Sequence, residues 1–492
     1  MKVQMSTLAA GLLSALAICT CATAGHAATQ FGSSSAAHDA AAGAWGKAKE
    51  VPGLAALAGA GDSALNSISC ASPGNCSAGG SYQLGTDISR SEAFVASEVS
   101  GTWNVAAPVP GIAALNKVGK AQVSSVSCAT PGNCSAGGWY TSGFYPGGHA
   151  TKSSAFVVSQ VNGVWRQARQ VPGIAALNQG GQANVSSVSC TSPGDCSAGG
   201  FFYEAANGPG CCTSQGFVVS EVNGVWGKAR AVPGTRHIYS VSCATAGNCG
   251  AAGNLVLNQV NGIWGPARKV APAKGSTFGS AWIRVISCTA KGACSGGGIG
   301  GKQERSVVAS QAGGVWSTAR QVAGTTTLQA KRKSSLVSSV SCISPGNCTG
   351  GGFAFRSTAA GSSTREFAVP YLVRQKAGVW GRAETISGIG ALSKYGYAVI
   401  TGVSCAAAKN CAAAGRYTTS SYNPDGTGPG QAFVLNELNG RWGVPRDVTS
   451  SLTNDGPAVI AGISCPVVAA CTAGGNYWLG QQERAFVVSQ AG

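Results

Sequence analysis

The chain has 492 residues, with 34 Lys and Arg against 17 Asp and Glu, so its net charge is +17. With 44% hydrophobic and only 10% charged residues, it is not a disordered polyelectrolyte, because such chains combine high charge with few apolar residues. The length allows two to four domains or one closed repeat architecture. The positive balance favours an anionic partner, but charge this sparse makes no nucleic-acid stripe, so nucleic acid is not expected.

The first 27 residues are interpreted as a secretory signal peptide. Lys2 precedes an apolar run over 8–18, and small residues follow at Ala22, Ala24 and Ala27. A lipoprotein anchor at Cys19 is the alternative, although Ile18 stands where such signals need a small residue. No later run of about 18 apolar residues predicts a membrane span. We expect a flexible segment over 28–41 and an exported chain that is extracellular or associated with the cell surface.

Eight cysteine pairs with five intervening residues mark a repeat of 45 to 63 residues. Within 123–165 the repeat runs VSSVSC, ATPGN, CSAGGWY, a loop, AFVVSQV, the turn NG and then VW. Repeats of this length belong to propellers and solenoids. The pairs are Cys70/Cys76, Cys128/Cys134, Cys190/Cys196, Cys243/Cys249, Cys288/Cys294, Cys342/Cys348, Cys405/Cys411 and Cys465/Cys471.

Each repeat is predicted to form four β-strands, SVSC, CSAGG, FVVSxV and WxxAxxV, because Pro, Gly and Asn stand at the joints. The third and fourth strands form a hairpin, since dipeptides such as Asn162-Gly163 supply the positive φ angles of a two-residue turn. Eight residues separate the strand-three aromatic from the Trp, as in Phe156 and Trp165. We expect these aromatics to form core between blades rather than ligand platforms.

The two chain ends predict ring closure. The C-terminal residues 489–492 stop at the turn where another repeat, over 310–316, continues into a fourth strand. Residues 42–47 begin at the turn Gly and supply that strand. A linear solenoid would instead need polar caps. The predicted fold is therefore an all-β eight-bladed β-propeller of four-stranded blades over 42–492, closed by the N-terminal strand.

A double Gly after a hydrophobic strand, as in Gly79-Gly80 and Gly137-Gly138, precedes a Tyr or Trp, and a Trp follows later. This pattern resembles the kelch and galactose-oxidase-like propellers, in a form with paired cysteines similar to secreted bacterial repeat proteins. The resemblance covers essentially the whole exported chain and implies a propeller and export. It implies no activity, because propellers host many functions.

The sixteen paired cysteines are predicted to form eight disulfides, each closing a short turn between the first two strands. Zinc is the rival, but the spacing and the lack of nearby His disfavour it, so no metal and no cofactor are expected. Cys211 and Cys212 are adjacent in a long loop. They form either a vicinal disulfide that gives a ligand platform, or a local staple or other bridges.

The loops predict two unlike faces. First-to-second and third-to-fourth connections are tight turns, whereas second-to-third and fourth-to-first connections are mostly long. We place a site on the long-loop face at the channel mouth, where aromatics beside polar groups suit sugar stacking; mutual loop packing is the alternative. His149 and His237 are expected at the surface. The candidates are Tyr140, Tyr145, His149, Phe202, Tyr203, Glu204, Cys211, Cys212, Tyr417, Tyr422 and Asp425.

The sequence contains two further groups of charged residues. Lys331, Arg332 and Lys333 lie in a fourth-to-first loop and would attract an acidic polymer, unless the run is simply solvated. Glu98, Glu221 and Glu437 recur at one strand position, which indicates a structural role.

The predicted function is non-catalytic binding of carbohydrate or cell-envelope polymer, acidic or neutral, by a monomer. Phosphate loops, HExxH motifs and nucleophile elbows are missing from the sequence. One alternative is a polysaccharide glycosidase or lyase using Asp87, Glu92, Glu204 or Asp425. The other is a protein-interaction or structural ring.

Overall fold

Eight antiparallel sheets form a ring in the computed structural model of the chain. The structure describes residues 43–145, 151–205, 213–276, 278–301, 304–329, 334–360, 363–419, 429–453 and 456–490. The first strands of adjacent blades contact one another around the whole ring, including the first strand of blade eight against that of blade one. They are therefore the innermost strands, and the prediction of an eight-bladed propeller is confirmed.

Within each blade the strands pair in chain order from the axis outward. The first strands are Ser63–Ser72, Ala121–Thr130, Ala183–Ser192, Ile238–Thr245, Ala281–Ala290, Ser335–Ser344, Ala398–Ala407 and Ala458–Val467. The second strands are Asn75–Leu84, Asn133–Phe144, Asp195–Tyr203, Asn248–Gly253, Ala293–Gly300, Asn347–Ala360, Asn410–Thr418 and Ala470–Leu479. The third strands are Asp87–Val99, Thr151–Val161, Ser214–Val222, Val256–Val260, Arg305–Ala312, Ser363–Lys376, Gly430–Leu438 and Gln482–Ser489.

The outer strand of most blades is divided into two short pieces that pair with the same third strand. The pieces next to the hairpin turn are Thr102–Trp103, Val164–Trp165, Val225–Trp226, Ile263–Trp264, Val315–Trp316, Val379–Trp380 and Arg441–Trp442. The distal pieces are Lys49–Glu50, Ala107–Pro108, Arg169–Gln170, Arg230–Val232, Arg320–Gln321, Glu384–Thr385 and Arg446–Asp447. In the turn between strands three and four of blade two, Asn162 and Gly163 have φ of 49° and 83°, as the sequence predicted.

Five short helices, which the sequence analysis did not predict, lie in the fourth-to-first connections. They are Leu54–Ala58, Ile112–Leu115, Ile174–Leu177, Thr325–Leu328 and Ile389–Leu392. Each is preceded by a Gly in the left-handed conformation, as at Gly111 with φ of 76°. A single turn of four or five residues is too short to produce a helical period in the sequence.

All eight predicted disulfides are present, each with a sequence separation of six residues. The chain-entropy argument gives roughly 2 kcal/mol of stabilisation for each loop this short. Stable disulfides of this number are typical of an oxidising compartment. The bonded pairs are Cys70–Cys76, Cys128–Cys134, Cys190–Cys196, Cys243–Cys249, Cys288–Cys294, Cys342–Cys348, Cys405–Cys411 and Cys465–Cys471.

The disulfides belong to the core, whereas the cysteine spacing predicts only that they close turns. In seven blades the two cysteines lie directly opposite each other in the ladder of strands one and two. In blade eight the register shifts between Ser464 and Val467. The cysteines of the second strands are all buried, at 3–6% exposure: Cys76, Cys134, Cys196, Cys249, Cys294, Cys348, Cys411 and Cys471.

The serine before the first cysteine of each pair links neighbouring blades. Ser69 Oγ in blade one accepts a hydrogen bond from the backbone N–H of Cys128 in blade two. The same bond recurs at all eight blade junctions at 2.9–3.0 Å, and Ser464 closes the ring on Cys70. We call these eight bonds the serine ring.

The core lies between the blades in eight hydrophobic clusters, each with residues from two neighbouring blades. The strand-three aromatics fill these clusters, and Phe94, Phe156, Phe217, Tyr371, Phe433 and Phe486 are fully buried. Their predicted place between blades is confirmed.

The N-terminal strand closes the ring as predicted. Lys49 and Glu50 pair with Val487 and Phe486 of the last blade. The Glu50 carboxylate accepts hydrogen bonds from Arg484 Nη1 at 2.9 Å and from the Tyr477 hydroxyl. Trp45 Nε1 donates to Asn436 Oδ1 of blade seven at 2.9 Å. The outer strand of blade eight is therefore fastened to two blades.

Removing 43–51 should open this closure. We expect a chain beginning at Pro52 to lose several kcal/mol of unfolding free energy relative to one beginning at Gly43, because buried Trp45 and Val51 leave the core. Denaturant unfolding of the two chains measures the difference, and equal stability would refute closure by this strand.

A Ser242→Ala substitution should cost about 1–3 kcal/mol of unfolding free energy, since the buried Cys288 N–H loses its acceptor. Ser142→Ala, at an exposed serine in blade two, is the matched control and should change stability by less than about 0.5 kcal/mol. Thermal and urea unfolding of both variants test this. An equal effect at the two sites would mean that the serine ring does not stabilise the fold.

Candidate functional site on the long-loop face

The two ends of the propeller differ in their connections. At one end, the stapled face, tight turns join strands one to two and three to four, and Gly163 N donates to Gly132 O between them at 2.8 Å. The opposite end, the long-loop face, carries the second-to-third and fourth-to-first connections. The expectation that second-to-third connections are mostly long is only half right. Two residues make this connection in blades one, four, six and eight.

Three of the predicted ligand residues lie in the core, which corrects their assignment to a binding surface. Tyr140, Phe202 and Tyr417 are 4%, 2% and 5% exposed. Their side chains point between blades, because alternate strand residues face opposite sides of a sheet. The Tyr417 hydroxyl donates to the Asp447 carboxylate, and burial raises its pKa above the ordinary value.

The paired cysteines take no part in the long-loop face. They stand where first strands end and second strands begin, which is the stapled face. Both sulfurs of each pair are bonded to each other, as in Cys243–Cys249 and Cys288–Cys294. The zinc alternative is therefore wrong for these sixteen residues, because a disulfide sulfur is not the thiolate that zinc requires.

The structure brings three other predicted residues together at Gly180. The Tyr145 hydroxyl donates to Gly180 O at 2.5 Å, and Gly180 N donates to Tyr203 O at 2.7 Å. A Cβ at Gly180 would lie 2.3 Å from Glu204 O, so only glycine fits there. Lys152 Nζ lies 5.4 Å from the centroid of the Tyr145 ring. Here the long loops of blades two and three pack on each other.

The remaining candidates fall outside the described residues, so their predicted roles stay predictions. They are His149, Cys211, Cys212, Lys331, Arg332, Lys333, Tyr422 and Asp425.

A row of aromatic rings leads inward from Tyr203 toward the axis. The Phe201 ring centroid lies 5.8 Å from that of Tyr203 and 4.6 Å from that of His237. His237 stacks on Tyr239 with centroids 4.1 Å apart and an interplanar angle of 18°. Arg284 Cζ lies 5.3 Å from the Tyr239 centroid. We call Tyr203, Phe201, His237, Tyr239 and Arg284 the aromatic track.

Strand directions place the track at the channel mouth. First strands begin and second strands end at the long-loop face, and the track uses those ends in blades three, four and five. Tyr239 and Arg284 occupy β-bulges in their first strands, between the paired residues Ile238 and Ser240 and between Ile283 and Val285. A bulge re-aims the side chain that it contains.

Arg284 suits the track to an anionic ligand, and His237 contributes an uncharged ring. Arg284 Nε is buried and has no hydrogen-bond partner among the described residues. Burial, and secondarily the Arg284 charge, lower the pKa of His237 to about 3, and Ser186 Oγ lies 2.6 Å from its Nε2. His237 is therefore a neutral ring at physiological pH. It is partly exposed between two rings, so the expectation of a surface position holds only in part.

A second aromatic cluster lies in blades six and seven. Phe355 lies 5.1 Å from Phe353 and 6.2 Å from Tyr397, measured between ring centroids. Arg416 Cζ lies 5.7 Å from the Tyr397 centroid. This cluster joins the middle of the second strand of blade six to the start of the first strand of blade seven.

The recurring carboxylates lie away from the track, on strand three close to the stapled face. Glu98, Glu221 and Glu437 are 4%, 2% and 1% exposed. Ser135 and Ser159 donate to Glu221 at 2.9 and 2.6 Å, whereas Glu98 Oε2 has no hydrogen-bond partner within the described part of the chain. Burial raises the pKa of Glu98 and Glu221. These buried positions support the structural interpretation of the recurring glutamates.

Among the other carboxylates of the catalytic alternative, Asp87 is fully exposed and accepts a bond from Ser89 Oγ at 2.5 Å. Burial raises the pKa of Glu92. The part of the chain that is described contains no cluster of three or more His, Cys, Asp or Glu that could hold a metal ion. It also contains no helix long and apolar enough to cross a membrane.

Comparisons with known proteins find matches of low identity among solved structures. No protein-family model matches the chain, and no curated protein is similar to it. Solved structures that match include YCF48 bound to a D1 peptide, at 9% identity and TM-score 0.41 over 91% of this chain and 97% of that one. The WD40 propeller domain of Doa1 matches at 9% and 0.39 over 80% and 96%.

A polysaccharide lyase of family PL25, an ulvan lyase with a bound saccharide, matches at 11% identity and TM-score 0.41 over 91% of this chain and 94% of that one. Likeness at this level carries no argument about function. The similarity to kelch and galactose-oxidase-like propellers stays a resemblance, because no family match supports it.

Replacing Glu98 by Gln should raise the unfolding free energy by about 1 kcal/mol at pH 7, because the neutral amide relieves a buried charge and supplies a donor. Gln160, the equivalent residue in blade two, donates to Ser97 Oγ and to Gly163 O at 3.1 Å.

The raised pKa of Glu98 sets the pH dependence of this gain. The folded protein favours the protonated acid, so the gain is largest at neutral pH and closes as pH falls toward 4.5. Urea unfolding across this range measures it. Gln160→Glu is the reverse control and should lower the unfolding free energy. If the stability gain of Glu98→Gln were independent of pH, a buried charge at Glu98 would not be its cause.

Proposed function

We propose that the protein is an exported, non-catalytic propeller that binds an acidic polysaccharide along the long-loop face. The observation that carries the proposal is the aromatic track, in which four rings in contact end at Arg284. Aromatic faces offer apolar contact at low entropic cost. A guanidinium matches the geometry of carboxylate and sulfate groups. The track therefore combines stacking for sugar rings with a cation for their acidic substituents.

The unsatisfied Arg284 Nε supports an anionic ligand over a neutral one. A buried donor without an acceptor costs free energy, and an anion at the track would remove that cost. The net charge of +17 adds long-range attraction for a polyanion. The second cluster, with Arg416 over Tyr397, repeats the same pairing of ring and cation. A long polymer that passes over the channel mouth would contact both.

Binding of polygalacturonate and of its methyl-esterified form tests this proposal, because the two polymers share a backbone and differ in charge. We expect Arg284→Gln to weaken binding of the charged polymer about tenfold, which is the scale of a lost charged hydrogen bond. Binding of the methyl ester should change little. Tyr239→Ala should weaken binding of both, since it removes stacking. Calorimetry over a salt series measures the affinities, and mass spectrometry of the polymer detects any cleavage.

Two variants serve as controls. Phe144→Ala removes an aromatic that is 50% exposed outside the track, and Arg268→Gln removes an exposed cation from the outer wall; neither should change affinity by more than about twofold. Equal losses in the controls would refute the track as the site. New polymer ends in the mass spectra would favour the alternative of a polysaccharide-cleaving enzyme. The absence of binding to either polymer would leave a protein-interaction ring.

A further inference from the structure

The stapled face concentrates the exposed apolar side chains. Twelve of the seventeen large hydrophobic residues that are exposed in the described chain lie in its two classes of turn and the strand ends beside them. Three lie at the strand ends beside the second-to-third connections of the long-loop face. Val225, Ile263, Val315 and Val379 are 70%, 75%, 73% and 72% exposed. The twelve are Val99, Val161, Val164, Val222, Val225, Val260, Ile263, Val315, Val379, Leu438, Val467 and Val468, which we call the apolar ring.

Exposed cations accompany the apolar ring. Four of them stand in or next to the turns, and four follow the outer-strand Trp by one or two residues. They are Lys291, Lys376, Lys409 and Arg441, and Lys47, Arg166, Lys228 and Arg382. The ion pairs of the described residues, Arg374 with Glu437 and Arg484 with Glu50, use none of them.

Exposed negative charge is scarce on this face, because the nearby glutamates Glu98, Glu221 and Glu437 are buried. Asp195 is the acidic residue found in its turns, within the described part of the chain. The Asp195 carboxylate already accepts hydrogen bonds from Ser192 Oγ at 2.8 Å and from Asn223 N at 3.2 Å. The surface around the apolar ring is therefore positive.

Hydrogen bonds within the protein fix the turns that carry the apolar ring. Each hairpin turn in seven blades is hydrogen-bonded to the disulfide-closed turn beside it, as Gly224 N is to Gly194 O at 2.9 Å. Neighbouring blades are joined as well, since Asn258 Nδ2 donates to Gly314 O at 3.2 Å and Arg374 Nη2 to Gly440 O at 2.9 Å. All these turns end at the same face of one ring, so they present a broad, rigid surface.

From this arrangement we infer that the stapled face docks onto a lipid bilayer that contains anionic headgroups. Exposed apolar residues within a positive surface match the chemistry of such an interface, in which aliphatic side chains enter the headgroup region and cations pair with phosphates. A soluble polyanion would use the cations but leave the apolar ring in water. A second copy of the face would oppose cation to cation.

The orientation that docking would give the propeller is compatible with the proposed function, and the inference does not depend on that function. A propeller docked by its stapled face would turn the long-loop face, with the aromatic track, away from the bilayer. The docking test contains no polysaccharide, so its failure and the failure of the proposed function are separate outcomes.

Vesicle co-sedimentation of the oxidised exported chain, residues 28–492, tests the inference, because the apolar run over 8–18 would itself bind vesicles. Equimolar phosphatidylcholine and phosphatidylglycerol vesicles should bind the protein at least tenfold more tightly than pure phosphatidylcholine, and salt should weaken the binding. Arg166→Gln, Lys228→Gln and Arg382→Gln together should weaken it by up to about 100-fold, from about fivefold for each cation. Val225→Thr, Ile263→Thr and Val315→Thr together should weaken it while keeping the salt dependence, because Thr preserves shape and strand preference.

The long-loop face supplies matched controls. Ile88→Thr changes a residue that is 72% exposed, and Arg90→Gln, Lys117→Gln and Lys120→Gln remove three exposed cations; these variants should bind vesicles like the parent. Thermal unfolding confirms that each variant is folded. Equal binding to neutral vesicles, or equal loss in the controls, would overturn the inference. If the protein binds polyphosphate but not vesicles, the partner of the stapled face is a soluble polyanion and the inference is wrong. If the protein forms dimers that the Thr variant abolishes, the partner is a second copy of the chain and the inference is also wrong.

Discussion

The ring is held together by the hydrogen bond from a cysteine N–H of one blade to the serine Oγ of the blade before it. This bond occurs at all eight junctions with nearly constant length. Both groups are mostly buried, so a missing partner would leave a polar atom unsatisfied in the core. Each blade thus requires its neighbour on both sides. A closed ring satisfies this requirement eight times, whereas an open arc would leave one serine and one cysteine N–H without a partner.

The Ser-Cys dipeptide performs two tasks because neighbouring strand residues point to opposite sides of the sheet. Ser69 points toward blade two and accepts its bond there, whereas the Cys128 disulfide of blade two faces blade one, since Cys134 Sγ lies 3.4 Å from Ser77 Oγ. The disulfide fixes the turn inside a blade, and the serine fixes the blade to the next. One short motif therefore determines both the shape of the blade and its place in the ring.

The fold could be predicted from the sequence because the repeat contains the features that determine it. Eight cysteine pairs, the Asn-Gly turns and the matching chain ends determine blade number, hairpins and closure. The site was harder to predict. Tyr140, Phe202 and Tyr417 stand at the same repeat position as Tyr82 and Tyr477, which are also buried. That recurrence, like the recurrence of Glu98 and Glu221, was the available signal that the position is structural.

The aromatic track was only partly predictable, because a bulge interrupts each first strand. Alternation read across a bulge assigns the following side chains to the wrong face. Tyr239 and Arg284 occupy the bulge position, and the contacts of Tyr239 with His237 and with Arg284 depend on it. The sequence alone does not show where a strand gains its extra residue.

The residue at the bulge varies between blades, whereas the serine ring is the same in all of them. The bulge position of each blade carries, in order, Asn66, Ser124, Ser186, Tyr239, Arg284, Ser338, Thr401 and Ala461. Six of these side chains are small, and only blades four and five carry a large aromatic and a cation. The serine ring uses the residues at the other end of the same strands. Substitution at the bulge can therefore change the proposed ligand site at the channel mouth while the bonds that close the ring stay in place.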